Sequence, residues 1–292
     1  MNSRRGEVAP VRPRPRREAG ESWPYVNVDG TVLFWKQKIL LFDRETGESL
    51  GKKYEYRYQT AEQQRSGSRV WWTHAKPPGA DSIPFALDEL LPAVWEGQRI
   101  LICEGEKDAD AARVSWDVCA STTHLGAAAS HGCGWTPGML AWFARADRLR
   151  ESGCARAEVV IVADRDPTGL RHAYRTRLGL IRHGHWPALG IQILLPAPEH
   201  RHADLSDHIA AGLDFDELEV ARLSELRAAT AELDRRAAVE GRNGRGAGGA
   251  RPWDGSGPYA SDWTLKRRTR EEPAPFGCLY GAGPDPDSGS EL

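Results

Sequence analysis

The stretch that most constrains this 292-residue chain is Arg99-Ile100-Leu101-Ile102-Cys103-Glu104-Gly105-Glu106-Lys107-Asp108-Ala109-Asp110. Ile100 to Cys103 is a short apolar run of the kind that forms a strand buried on both faces. Glu104 falls where that strand ends. Gly105 permits a sharp turn, and the Ala-rich segment from Ala109 to Val114 reads as a helix. The same logic returns further along. Glu158-Val159-Val160-Ile161-Val162-Ala163 is a second apolar strand, running into Asp164-Arg165-Asp166-Pro167-Thr168-Gly169. Open parallel sheets place their ligands at the carboxyl ends of their strands. If the two strands are neighbours, Glu104, Asp164 and Asp166 converge. Asp164 and Asp166 stand two apart, which points both side chains one way in extended chain. Hard carboxylate oxygens without a fixed basic partner suit Mg²⁺ or Mn²⁺.

This pair of motifs resembles the TOPRIM domain of bacterial DNA primases, bacteriophage primase-helicases and topoisomerases. The family pattern is an apolar strand ending in Glu-Gly, then an Asp, and later a strand ending in Asp-x-Asp. Here these are Glu104-Gly105 with Asp108, and Asp164-Arg165-Asp166. Asp204-Leu205-Ser206-Asp207-His208 is similar to a segment near the end of phage and mobile-element primase domains. The resemblance implies Glu104, Asp164 and Asp166 as catalytic residues, with Glu104 as general base or acid. It implies a metal site of Glu104, Asp164 and Asp166, with Asp108 either completing the cluster at longer range or standing as a helix first-turn acid favoured by the macrodipole. Lys107 and Arg165, inside the motifs, are candidates for holding phosphates.

The rest of the chain supplies the frame. Strands alternate with helices from Arg99 onward. Val118 to Thr123 and Gly190 to Leu195 are further strands; Met139 to Glu151 and Leu170 to His183 are helices. This predicts an α/β domain with a parallel sheet, over 96–213. Before it, 23–95 reads as an antiparallel β-rich module. It has a hairpin at Asp29-Gly30, a strand from Lys38 to Asp43, alternating Tyr54, Tyr56 and Tyr58, and a strand at Val70-Trp71-Trp72. Its aromatic and basic residues suggest a stacking platform for single-stranded DNA through Lys36, Lys38 and Arg57, joined by Arg171 and Arg175 of the later helix. Against this stands the plain reading of an aromatic core face with a solvated face opposite. Residues 1–22 are expected to be a disordered basic arm and 241–292 a disordered tail, from their Arg, Pro and Gly content. Residues 214–240 are expected to form one amphipathic helix, preceded by a short helix at His208 to Ala211 capped by Ser206 or Asp207.

Composition sets bounds. The formal net charge of −2 means that any DNA contact is local. The 5 cysteines form no Cys-x-x-Cys pair, and His124, His131, Cys119 and Cys133 match no common ligand spacing, so no zinc is expected. No apolar run spans a bilayer, which predicts a cytoplasmic protein without a membrane partner. No P-loop occurs, so a helicase or zinc-bearing partner is expected in trans. Three functions follow from the resemblance: primase-like nucleotidyl transfer with nucleoside triphosphates in phage or mobile-element replication, a Mg-dependent nuclease, or a non-catalytic DNA-binding accessory.

Overall fold

A computed structural model describes residues 15–66, 72–126, 134–150 and 154–243. Three antiparallel strands come first: β1 (Arg16–Val26), β2 (Val32–Phe42) and β3 (Ser49–Tyr58), in that order across the sheet. The β1–β2 turn is where the sequence puts it. Gly30 takes a left-handed φ of 81°, and the Asp29 carboxylate accepts from the Thr31 amide. Two expectations change here. β1 begins at Arg16, so residues 16–22 belong to a strand and not to an arm; 1–14 lie outside the described residues. β2 also runs unbroken from Val32 to Phe42, where a separate strand from Lys38 was expected. Only Trp72 of the Val70-Trp71-Trp72 strand is described, followed by a bridge between Thr73 and Tyr56.

Period-two alternation gives this sheet two faces. Tyr25 pairs with Phe34 and Trp23 with Lys36, and Tyr25, Phe34 and Trp23 are buried. Trp35 and Arg57 pair on the opposite face. The Tyr25 and Phe34 rings stack with centroids 4.5 Å apart.

A short helix, α1 (Ala61–Ser66), and then α2 (Leu87–Trp95) lead into the second sheet. There β4 (Arg99–Ile102), α3 (Glu106–Trp116), β5 (Cys119–Ser121), α4 (Pro137–Leu149), β6 (Glu158–Val162), α5 (Pro167–Arg182) and β7 (Ile191–Leu195) alternate strand and helix. α6 (Leu205–Ala210), β8 (Glu219–Val220) and α7 (Leu223–Asn243) follow. The order is β5-β4-β6-β7-β8, parallel except for β8. Ile100, Leu101, Val159 and Val160 are fully buried, as strands covered on both faces require. This is the expected α/β architecture with its antiparallel companion sheet.

Three local expectations differ. Asp204, not Ser206 or Asp207, caps α6, in a reciprocal box with Asp207. The stretch 214–240 is not one helix. It makes a 3₁₀ turn at Phe215–Glu217 and the edge strand β8 before α7 begins at Leu223. The cause is tertiary: Phe215 packs edge-on against Trp116, and Glu219 and Val220 find ladder partners on β7. The tail expected from 241 is helical to Asn243, and residues beyond that lie outside the described ones. So do 127–133, with His131 and Cys133. Among the described residues no helix is long and apolar enough to cross a membrane.

Candidate active site

β4 and β6 are direct neighbours, with Ile102 paired to Ile161. Glu104 and Asp164 therefore leave the sheet side by side at its carboxyl edge. The turn after β4 is pinned by backbone: Cys103 N–H donates to the Ser121 carbonyl, and Thr122 Oγ1 donates to the Glu104 carbonyl. The turn after β6 is fixed by α5. A Cβ on Gly169 would lie 2.7–2.9 Å from the Asp164 carbonyl, Cβ and amide, so only glycine lets the helix approach this closely.

Five acids share this edge. Burial first, then the charges of Asp166 and Asp108, push the Glu104 carboxyl up, against a hydrogen bond with Asp164 and the charge of Lys52. Burial and then Glu104 push Asp164 up as well. The two form a pair that holds a proton between them more readily than isolated carboxylates do. Asp108, buried on α3, is pushed up to about 6 by burial and then by Asp204, although Ser206 donates to its Oδ1 through N–H (3.2 Å) and O–H (2.6 Å). Asp166 behaves differently. Burial raises it, but the Gly169 and Thr168 amides and His202 outweigh that and hold its pKa down. Its Oδ1 caps α5, accepting from Thr168 N–H and Gly169 N–H at 2.7 and 2.9 Å, while Oδ2 meets His202 Nδ1 at 2.7 Å.

The structure thus brings Glu104 and Asp164 together directly and turns Asp166 and Asp108 toward His202 and Ser206. Among the described residues no three acids, imidazoles or thiolates form a ready-made metal cage. The donor chemistry nevertheless suits a hard divalent cation. The set is all carboxylate, and Glu104 Oε2 is a buried oxygen without a hydrogen-bond partner. Glu104 and Asp164 fit such an ion as they stand. Asp166 offers Oδ2, now on an exposed imidazole.

The predicted cations disperse. Lys36 is corrected outright: it is 3% exposed, and its ammonium lies 2.6 Å from Glu106 Oε1, so it reaches no phosphate in solvent. It also faces away from Arg57, because cross-strand partners share a face and Lys36 pairs with Tyr56. Arg57 is exposed with its guanidinium between the rings of Trp35 (5.6 Å) and Trp72 (5.1 Å). Lys38 lies 3.7 Å from Glu21. Arg165 donates to the Pro196 carbonyl and pairs with Glu219 at 2.7 Å. Arg175 and Arg171 reach Asp234 of α7 at 2.6 and 4.0 Å. Lys107 stands 3.6 Å from Asp204. Of the residues weighed for zinc, His124 is buried beneath Tyr25, Phe34 and Tyr56, with Nε2 3.3 Å from Asp81.

Residues that the motifs left unassigned complete the site. Asp204 adds charge to the cluster and Ser206 holds Asp108. Lys52, on β3, is the cation whose field reaches Glu104, and Tyr54 beside it feels the Glu104 charge. The signal for Lys52 was its position two residues before Tyr54, which puts both on one face. Ser206 lies in the Asp204–His208 motif, which did not show that it holds Asp108; nothing local could have marked His202.

No family model matches the chain, and no curated protein matches it. Among solved structures it is similar to the RNA polymerase domain of Mycobacterium tuberculosis primase DnaG, with 18% identity and a TM-score of 0.43, covering 75% of this chain and 58% of that one. The E. coli primase catalytic core gives 14% identity and a TM-score of 0.41, over 75% and 56% of the two chains. The Aquifex aeolicus primase, with zinc-binding and RNA polymerase domains, gives 16% and 0.40, over 83% and 47%. The chain spans about half the length of these primase fragments.

Proposed function

We propose that this chain is a primase-like TOPRIM enzyme that joins nucleotides on single-stranded DNA with Mg²⁺ or Mn²⁺, in phage or mobile-element replication. The observation that carries the reading is the Glu104–Asp164 pair at the ends of neighbouring parallel strands, with Asp108, Asp166, Asp204 and Lys52 in electrostatic reach. Glu104, Asp164, Asp166 and Asp108 would hold the ion. When bound, it neutralises charge on the phosphoryl group and orients the attacking oxygen. Glu104, the general base or acid that the resemblance implies, would take the proton of the attacking hydroxyl from its place beside Asp164 at the strand end. Lys52 and Lys107 draw the triphosphate to the acids. Trp35, Arg57 and Trp72 stack template bases.

A Mg-dependent nuclease is the second reading, favoured by the same raised Glu104–Asp164 pair, which serves equally to activate water. Incubation with single-stranded DNA, labelled ribonucleotides and Mg²⁺, with primers and cleavage products scored on one gel, separates the two. Primer synthesis that a helicase or zinc-bearing partner stimulates and Asp164→Ala abolishes supports the primase. Robust cleavage by the protein alone, lost in Glu104→Ala, overturns it. Single-strand binding without either product leaves the accessory role.

A further inference from the structure

Glu106 lies two residues after Glu104 and starts α3, yet its side chain turns away from the acidic cluster and into the antiparallel sheet. It is 3% exposed. A single oxygen, Oε1, accepts from Tyr25 O–H of β1 and from Lys36 Nζ of β2, both at 2.6 Å. Tyr25 is fully buried and Lys36 3% exposed, and the Lys36 ammonium also sits 4.2 Å from the centre of the Tyr54 ring. Two residues further on, Asp108 is held from the other side by Ser206 of α6. The first turn of α3 is thus gripped by the β-module through Glu106 and by α6 through Asp108. Between the grips lies the turn that carries Glu104.

A buried ion pair is a poor stabiliser. The desolvation of both charges offsets most of their attraction, and replacing such a pair with apolar groups of similar size is often neutral. What it does supply is direction: two short hydrogen bonds to one oxygen fix an angle and a distance that apolar packing leaves loose. The sheet so fixed carries Lys52 and Tyr54 on the same face as Lys36, within electrostatic reach of Glu104.

We propose that Glu106, with Tyr25 and Lys36, is a positioning residue that sets the spacing between the acidic cluster and the basic, aromatic face of the β-module. A nucleoside triphosphate held on that face is thereby kept at one distance from Glu104. This rests on the reading of the acids as a nucleotidyl-transfer site.

The test compares wild type with Glu106→Gln, Tyr25→Phe and the double variant Lys36→Met plus Glu106→Gln. Unfolding midpoint, Mn²⁺ affinity, kcat and nucleotide KM for primer synthesis, and amide hydrogen exchange are measured on each. A purely structural clamp shifts the midpoint and leaves kcat per folded molecule unchanged. The positioning role lowers kcat of the double variant by about 10- to 100-fold, the loss a displacement near 1 Å brings. Its Mn²⁺ affinity should stay close to wild type, since no carboxylate of the cluster is altered. Glu106→Gln alone retains an acceptor for both donors and should keep most of kcat per folded molecule, although the buried Lys36 ammonium loses its counter-charge and the unfolding midpoint falls. Unchanged kcat in the double variant overturns the proposal. If wild type binds Mn²⁺ but makes no primer even with a helicase or zinc-bearing partner, the nucleotidyl-transfer reading fails separately. Hydrogen exchange then decides: faster exchange of β2 and of the first turn of α3 together in the double variant supports the clamp, and unchanged exchange overturns it.

Discussion

Replacing Asp108 by Asn removes one charge from the acidic cluster and almost no volume. Asp108 accepts from Ser206 through Oδ1, and an amide oxygen there accepts the same two hydrogen bonds. The wild-type carboxyl is raised from 3.8 to about 6 by burial and then by Asp204. The folded chain therefore binds this proton more tightly than the unfolded one. By linkage, metal-free stability falls as pH rises from about 4 through about 6, and stays reduced above that. A shift of about two units corresponds to roughly 3 kcal/mol. Asp108→Asn should thus match wild type near pH 4 and exceed it by up to about 3 kcal/mol at neutral pH. Asp108 also pushes Glu104 and Asp164 up, so its removal relieves them in the same direction. Urea unfolding with a chelator across this pH range measures the gap. Saturating Mg²⁺ should restore stability to wild type, because an ion that binds only the folded state stabilises it. A gap independent of pH, or a variant less stable than wild type near pH 8, would refute the account of a cluster held together against its own charge.

Other consequences can be tested on the same protein. Asp164→Ala with Asp166→Ala should abolish Mn²⁺ affinity in calorimetry; equal affinity in wild type and variant would sink the metal assignment. Gly169→Ala drives a methyl into the Asp164 backbone and should destabilise by about 1–3 kcal/mol, as overpacking does, while weakening Mn²⁺ binding; an unchanged thermal midpoint contradicts the close approach. Arg57→Ala should weaken single-strand binding and reduce its salt dependence by about one ion, whereas Lys36→Met leaves that slope alone. Filter binding across salt concentrations reads both, and a reduced slope in Lys36→Met would mean that the buried lysine reaches phosphate after all.

The features legible in the sequence were those decided within a few residues. Ile100–Ile102 and Val159–Val162 read as buried strands from their short apolar, β-branched runs, and acids after each marked the sheet's carboxyl edge. Asp29-Gly30 fixed a turn by its own chemistry. What escaped was decided across long separations. Lys36 looks like a surface cation until Glu106, 70 residues later, is brought beside it. Phe215 and Leu218 carry helical spacing, but Trp116 and the free edge of β7 offered better partners. Asp166 illustrates the limit within the motif itself. Its spacing from Asp164 suggests two parallel ligands, yet the helix beginning at Pro167 claims one of its oxygens as a cap.

The outermost strands of the α/β sheet also have a consequence for handling the protein. β5 is three residues long and β8 two, and β8 places the charged Glu219 at the rim. Strands this short give a second molecule no ladder to extend, which is how soluble sheets avoid joining edge to edge. Protection on the β7 side depends wholly on Glu219, Val220 and the Ala221 amide, which donates to Ile193. A fragment cut before Glu219 would bare the outer edge of Ile193-Leu194-Leu195, an apolar β-prone segment that keeps only its β6 partner on the other side. The safe boundary for any shortened version of this domain therefore lies beyond the little strand, however dispensable its two residues look.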